Sequence, residues 1–218
     1  MRNTTTVVVV VAAVAILMSG YALATIFTGT TPEAQGFNGF LLDPPQRAPD
    51  FTLVDHLGNP INLRDFRGKT VALTFVYTHC TTFCPLVTMK FVGIEKAHRE
   101  SLGEDVVFIA ITTDPERDTL ERIREYRQAY GYDGYLLTGS FEELEIVWEE
   151  YGVYVEYVPL EGNETLTTNL LGGEGEYGVN HTAEILLIDK QGMVRVVHLG
   201  YEWENEDLVS DIIILRDD

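Results

Sequence analysis

Cysteine is almost missing: Cys80 and Cys84 are the only two in 218 residues. That count excludes a scaffold stapled by disulfides, and a domain of about 170 residues can hold a core without them. Lysine is scarce as well, confined to Lys69, Lys90, Lys96 and Lys190 against 34 acidic residues, and the formal net charge is −19. A surface of that sign repels nucleic acid and anionic lipid headgroups, which sets both aside as partners. It suits a salt-rich exterior or docking to a basic protein. No phosphate-binding glycine loop, serine triad, dense acidic metal cage or internal repeat stands out, so the chemistries that depend on them lose their usual signatures.

Charge of either sign is absent between Arg2 and Glu33, and Val7 to Phe27 is an almost wholly apolar run of 21 residues. At about 1.5 Å per residue such a helix crosses a hydrocarbon core of roughly 30 Å. Ala22-Leu23-Ala24 also resembles the cleavage site of a signal peptide, but the run exceeds the roughly 7–15 apolar residues of a signal core, which favours an uncleaved anchor. Arg2 stays on the cytoplasmic side by the positive-inside rule, so either reading sends the globular part outside the cytoplasm. The expected organisation is an anchor over 1–28, a Gly-, Pro- and Thr-bearing tether over 29–47 and one domain over 48–218, held at the cell membrane by a single pass.

From Arg47 onward strands and helices alternate, as in an α/β or mixed α+β domain. Phe51 to Val54 and Ile61 to Leu63 flank a turn and predict a hairpin. Thr70 to Tyr77 is a continuous run of β-formers, expected of a central strand covered on both faces. A helix should follow from Pro85 to about Glu100 with Cys84 near its N-cap. Then come a strand over 106–112, a helix to about Tyr130 capped by Asp114 with Pro115 in its first turn, a short strand over 135–138 and a helix from Ser140 to Tyr151. Trp148 and Tyr151 have helical spacing and read as core. Residues 156–180 form a glycine-bearing insertion, the length of which marks it as functional or mobile. A second hairpin pairs 184–188 with 193–199, and an amphipathic segment over 204–215 ends the chain.

The informative pair is Cys80 and Cys84, placed where the central strand meets the helix. Both thiols can face one cleft and feel the positive end of the helix dipole, which favours thiolate. Thiolates attack disulfides and bind soft metals such as Cu(I). A plain stabilising disulfide explains the spacing poorly, because closing so short a loop contributes little.

Three ordered motifs carry a resemblance to a known family: Thr78-x-Cys80-x-x-x-Cys84-Pro85, then Asp114-Pro115-Glu116-Arg117-Asp118-Thr119, then Asn180-His181-Thr182. Over roughly 48–218 the chain resembles the Sco/SenC family of copper-site assembly proteins of respiratory oxidases. The resemblance implies a thioredoxin-like central sheet flanked by helices, an N-terminal hairpin, an insertion before the histidine-bearing loop and one N-terminal transmembrane helix. It also implies Cys80 and Cys84 as thiol ligands and His181 as the imidazole ligand of copper. Two thiolates and an imidazole suit trigonal Cu(I) and can hold Cu(II). The chain departs from many relatives at Thr81 and Thr82, where those have Pro and Asp.

The implied function is a copper metallochaperone serving the copper A centre of cytochrome c oxidase subunit II or a similar acceptor, loaded by an upstream copper donor. The second reading is a membrane-tethered thiol-disulfide reductase with Cys80 and Cys84 cycling, fed by an upstream thiol reductant. Peroxidase chemistry is disfavoured because Tyr77 stands where that signature needs Pro, and a redox or copper sensor is a further alternative. His79 reads as a rim residue, His56, His98 and His198 as surface or packing residues, and Asp114 and Asp118 as solvated groups at a helix start.

Overall fold

The computed structural model describes residues 36–159 and 177–218. The apolar run 7–27 and residues 160–176 of the expected insertion lie outside the described residues, and among the described residues no helix is long and apolar enough to cross a membrane.

Strand β4 (Thr70–Val76) has all seven residues buried, as its unbroken apolar run requires. It lies parallel to β5 (Val106–Thr112), which is parallel to β6 (Tyr135–Leu137). On its other side β9 (Glu184–Ile188) runs antiparallel, followed by β10 (Met193–Leu199) and β1 (Phe40–Arg47), also antiparallel. The period of two along β4 divides the core. Ala72 and Val76 face α1 (Cys84–Leu102), α2 (Leu120–Tyr130) and α4 (Asn205–Asp217), packing with Phe91, Ile123, Leu208 and Ile212. Val71, Leu73 and Phe75 face α3 (Phe141–Tyr151) and the hairpin of β2 (Thr52–Val54) and β3 (Pro60–Asn62). The result is the mixed α/β sheet with helices on both faces that the alternating pattern predicts, including both expected hairpins.

Local chemistry places several boundaries. Ser140 caps α3 by accepting from the Glu143 amide while Glu143 accepts from the Ser140 amide, a reciprocal capping box. Trp148 and Tyr151 are buried, and each spends its polar atom on a backbone carbonyl, of Thr112 and of Pro49. The turn between β9 and β10 ends at Gly192 with φ of 76°, a left-handed conformation that glycine adopts without strain.

Three expectations are corrected. Residues 40–47, expected within the tether, form edge strand β1, so the compact domain begins at Phe37 rather than at 48. Pro44 and Pro45 disguise the strand in sequence. They are tolerated because β1 is an edge, and the ladder is interrupted between Leu41 and Gln46. The expected insertion starts and ends as strands, β7 (Val155–Pro159) and β8 (Tyr177–His181), which pair antiparallel. Helix α2 begins at Leu120, five residues later than a cap at Asp114 would place it. Thr119 is the cap, with its hydroxyl accepting from the Arg122 amide.

The buried Asp211 ties α4 to the other end of the chain. Its carboxylate accepts from His198 Nε2 at 2.9 Å and from the amides of Asn38 and Gly39, both at 2.8 Å. Burial pushes the Asp211 carboxyl upward, but the bonds from His198, Asn38 and Gly39 outweigh it and hold the pKa below the usual value. Removing one partner of such a buried pair costs about 3–5 kcal/mol. Asp211→Ala should therefore lower the unfolding free energy by about that amount in urea melts at neutral pH. With a depressed folded-state pKa, the carboxylate's contribution is complete above the unfolded value of about 4 and is lost as pH falls through the folded one. The stability gap between wild type and Asp211→Asn should accordingly narrow below about pH 4, and a gap independent of pH would contradict this account.

Candidate metal centre

Topology brings three segments to one edge of the sheet. Strands β4 and β5 are parallel neighbours, so the chain leaves both in the same direction, into 77–83 and 113–119. Strand β9 runs antiparallel to β4, so residues entering it arrive at that same edge, where the Thr74 hydroxyl donates to the Glu184 carbonyl at 2.8 Å. The carboxyl ends of parallel strands are where open α/β sheets most often place their sites.

The first segment carries the thiols. After β4 the chain turns tightly, with the Cys80 amide donating to the Tyr77 carbonyl at 3.2 Å. Helix α1 begins at Cys84 itself, with Phe83 as an N-cap that supplies no side-chain acceptor. One of the helix's unpaired first-turn amides, that of Cys84, donates instead to Cys80 Sγ at 3.4 Å. Thr82 Oγ1 lies 3.6 Å from the same sulfur. Both cysteines are buried and free. A hydrogen bond from the Cys84 thiol outweighs desolvation and, with the amides of Cys84 and Thr82 and the Thr82 hydroxyl, holds the Cys80 pKa down at about 4. The partnership with Cys80, burial and the Cys80 charge together push the Cys84 thiol up. The helix N-terminus thus serves one sulfur, and the pair is a thiolate beside a thiol. Thr82 thus places a neutral hydroxyl rather than a like charge beside that thiolate.

His181 is the last residue of β8, not part of a free loop. Its Nδ1 sits 2.9 Å from the Thr182 carbonyl. A carbonyl can only accept, so Nδ1 carries the proton and the lone pair is on Nε2, which points at Cys84 Sγ across 3.7 Å. Burial lowers the His181 pKa and keeps the ring neutral. The Tyr77 ring meets the imidazole edge-on with centroids 6.0 Å apart. Metal bonds of about 2.3 Å to sulfur and 2.0 Å to nitrogen, the lengths found in zinc sites, leave the two donor atoms about 3.7 Å apart at trigonal angles. Cys84 Sγ and this nitrogen therefore stand at the separation that two ligands of one soft metal ion would have, whereas Cys80 Sγ would have to close in on them to complete a three-donor shell.

The other candidates are elsewhere or otherwise engaged. His79 is at the rim, with Nδ1 3.7 Å from Asp118. His79, Asp114 and Asp118 have potential ligand atoms within 4.8 Å of one another. Yet Asp118 is filled by the Thr78 amide, the Thr78 hydroxyl and the Thr112 hydroxyl, and Asp114 by the Tyr177 hydroxyl and Arg117. Both carboxylates are fully buried, which corrects their expected role as solvated groups at a helix start. Burial of acids in a tight turn, with the Asp118 amide donating to the Asp114 carbonyl, demands internal partners. Those partners Thr78, Arg117 and Tyr177, together with Arg122, which donates to Thr78, are the residues that sequence reasoning missed as parts of the site. A visible signal was the pair of acids and an arginine directly after a buried strand, a place where solvation is unavailable.

A family model described as SCO1/SenC matches residues 42–215. The chain is 30% identical over 168 residues to protein sco1 of Schizosaccharomyces pombe, covering 77% of this chain and 60% of that one. It spans 43–60% of the first curated relatives it matches. Among solved structures, Bradyrhizobium japonicum ScoI with copper bound superposes with a TM-score of 0.65 at 27% identity, covering 78% of this chain and 99% of that one. Apo Sco1 of Thermus thermophilus gives 0.68 at 27% identity, covering 82% and 96%. The order of the three motifs, the mixed α/β fold and a family match over residues 42–215 agree: this chain belongs to the SCO1/SenC family.

Proposed function

We propose that this protein is a copper metallochaperone, held at the outer face of a membrane by residues 7–27, that binds one copper ion through Cys80, Cys84 and His181. It passes the ion by ligand exchange to the copper A centre of a cytochrome c oxidase subunit. The observation that carries this reading is the approach of a tautomer-fixed imidazole Nε2 to within 3.7 Å of Cys84 Sγ, one of two buried, reduced thiols. A relative at 27% identity holds copper in its solved structure, which supports the choice of metal. Sulfur and imidazole donors favour copper over hard cations. The remaining acidic surface suits a basic partner, as steering between opposite charges raises encounter rates.

One observation favours a second activity of the same thiols. A thiolate at Cys80 next to a protonated Cys84 is the arrangement that starts disulfide exchange. Cys80 would attack one sulfur of a partner disulfide and release the other as a thiol, the proton coming from solvent. Cys84, giving its proton to the neutral His181 or to water, would then displace the partner's second thiol. The pair is oxidised to a disulfide and the partner is reduced by two electrons.

Anaerobic Cu(I) titration of the reduced protein against a chelator, followed by X-ray absorption, should find one copper with two sulfurs and one nitrogen. Cys80→Ser or Cys84→Ser should abolish both copper retention and disulfide exchange. His181→Ala should weaken retention by more than the roughly 10–100-fold that loss of an outer partner costs, while slowing disulfide exchange far less. Equal loss of both in the histidine variant would show that the two activities do not separate at that residue. A wild-type protein that holds no copper would leave thiol-disulfide exchange as the surviving function.

A further inference from the structure

The turn 113–119 touches both limbs of the thiol and imidazole site, and the two contacts are made by different acids. Asp118 fastens the thiol limb through the Thr78 amide and hydroxyl, and Arg122 holds the same residue by donating to the Thr78 hydroxyl at 2.9 Å and to its carbonyl at 3.1 Å. Asp114 fastens the imidazole limb. Its Oδ1 accepts from the Tyr177 hydroxyl at 2.7 Å and its Oδ2 from Arg117 Nε at 2.6 Å. Arg117 then reaches over the Tyr177 ring, 3.7 Å from its centroid, and donates to the Tyr177 carbonyl at 2.8 Å. Tyr157 on the partner strand adds a bond from its hydroxyl to the Thr113 carbonyl at 3.0 Å, and its ring packs edge-on against Tyr177.

Strand geometry carries that grip to the histidine. Tyr177, Val179 and His181 alternate onto one face of β8, with Val179 buried between them. At its far end β8 is tied by Thr182, which exchanges bonds with Tyr154, both of 3.0 Å. The imidazole is therefore strung between two anchors on a two-stranded ribbon that belongs to no larger sheet. An isolated ribbon of this kind is marginally stable by itself, so its position depends on what grips it.

We infer that Asp114, Arg117 and Tyr177 form a clamp that positions His181 over the thiols, so that the chain's hold on copper through nitrogen depends on three residues that touch no metal. The inference rests on the copper reading above. The clamp residues are positioning residues, and they act through the imidazole alone.

The test is a double-mutant cycle in the full-length chain. Arg117→Ala and Tyr177→Phe are each made alone and with His181→Ala, with Arg117→Lys as the conservative variant. Cu(I) retention against a chelator, hydrogen exchange of the metal-free Val179 to His181 amides and thermal unfolding are read in parallel. Arg117→Ala should weaken retention about 10-fold or more, Tyr177→Phe less, and Arg117→Lys should recover part of the loss. In the His181→Ala background neither should weaken retention further, and in the metal-free protein both should quicken exchange at 179–181 while α1 amides keep their protection. Equal losses with and without His181, or unchanged retention and exchange, would overturn the clamp. If wild type takes up no copper, the copper reading fails and the metal-free measurement decides by itself. Quickened exchange confined to 179–181, with loss of the Nδ1-protonated tautomer in nitrogen NMR, then upholds the positioning role, and unchanged spectra end it.

Discussion

Asp118 is a carboxylate with no access to water, and the site edge of the molecule is organised by what that requires. An ionised group removed from solvent costs several kcal/mol unless its oxygens are bonded. Here the bonds come from the two strand ends it lies between. Thr112 supplies a hydroxyl from the end of β5 at 2.5 Å, and Thr78 supplies an amide and a hydroxyl just beyond the end of β4. The carboxylate therefore staples the exits of two adjacent strands. Since Thr78 stands two residues before Cys80, the staple also fixes where the thiol loop starts its turn toward α1. Moving Asp118 to the surface would free the acid and release the loop.

With the loop held, the helix N-terminus has a defined target. An uncapped first turn offers unpaired amides, and Phe83 cannot accept from them. Cys80 Sγ takes the place of the missing cap acceptor by receiving the Cys84 amide. Capping and thiolate stabilisation are thus one interaction seen from two sides: the helix gains an acceptor and the sulfur gains a donor. The unequal pair follows first from the bond that the Cys84 thiol gives to Cys80, and the amide adds to it on the same sulfur, which a dipole acting on both thiols alike would not do.

Most of the fold is readable because its signals are local and mutually consistent. The all-apolar run of β4, the Ser140 to Glu143 capping box and the glycine turn before β10 each act within a few residues. The misread elements depend on partners distant in sequence. β1 carries two prolines and is a strand only because β10 offers an edge. β7 and β8 lie in a stretch that resembles a loop until Tyr157 and Tyr177 find the 113–119 turn. Asp114-Pro115 has the composition of a helix start, but Arg117 and Tyr177 claim the carboxylate that a cap would need, and Thr119 takes over the capping. At the site, the two cysteines and the histidine were legible from type and spacing. Thr78, Arg117, Arg122 and Tyr177 were not, since their importance lies in contacts 40 to 63 residues away along the chain.

The two proposed activities, metal transfer and disulfide exchange, would compete for the same two sulfurs, and the imidazole is what would separate them. Exchange needs a thiolate and a second thiol to resolve the mixed disulfide, which Cys80 and Cys84 provide, and water can take the Cys84 proton in place of His181. Copper held by two sulfurs alone leaves a linear arrangement open to any third ligand. In the proposed reading a neutral imidazole whose lone pair is already aimed at Cys84 would occupy that third position, with no deprotonation needed. Burial enforces the neutral state, and the Thr182 carbonyl selects the nitrogen. The strand carrying His181 is held by side chains rather than by the main sheet, so the third donor can be withdrawn by loosening a few hydrogen bonds while the thiol loop stays pinned by Asp118. If the chain acts as the proposed carrier, which must hold an ion securely and then surrender it to another thiolate site, these two anchors would give it one fixed limb and one releasable limb.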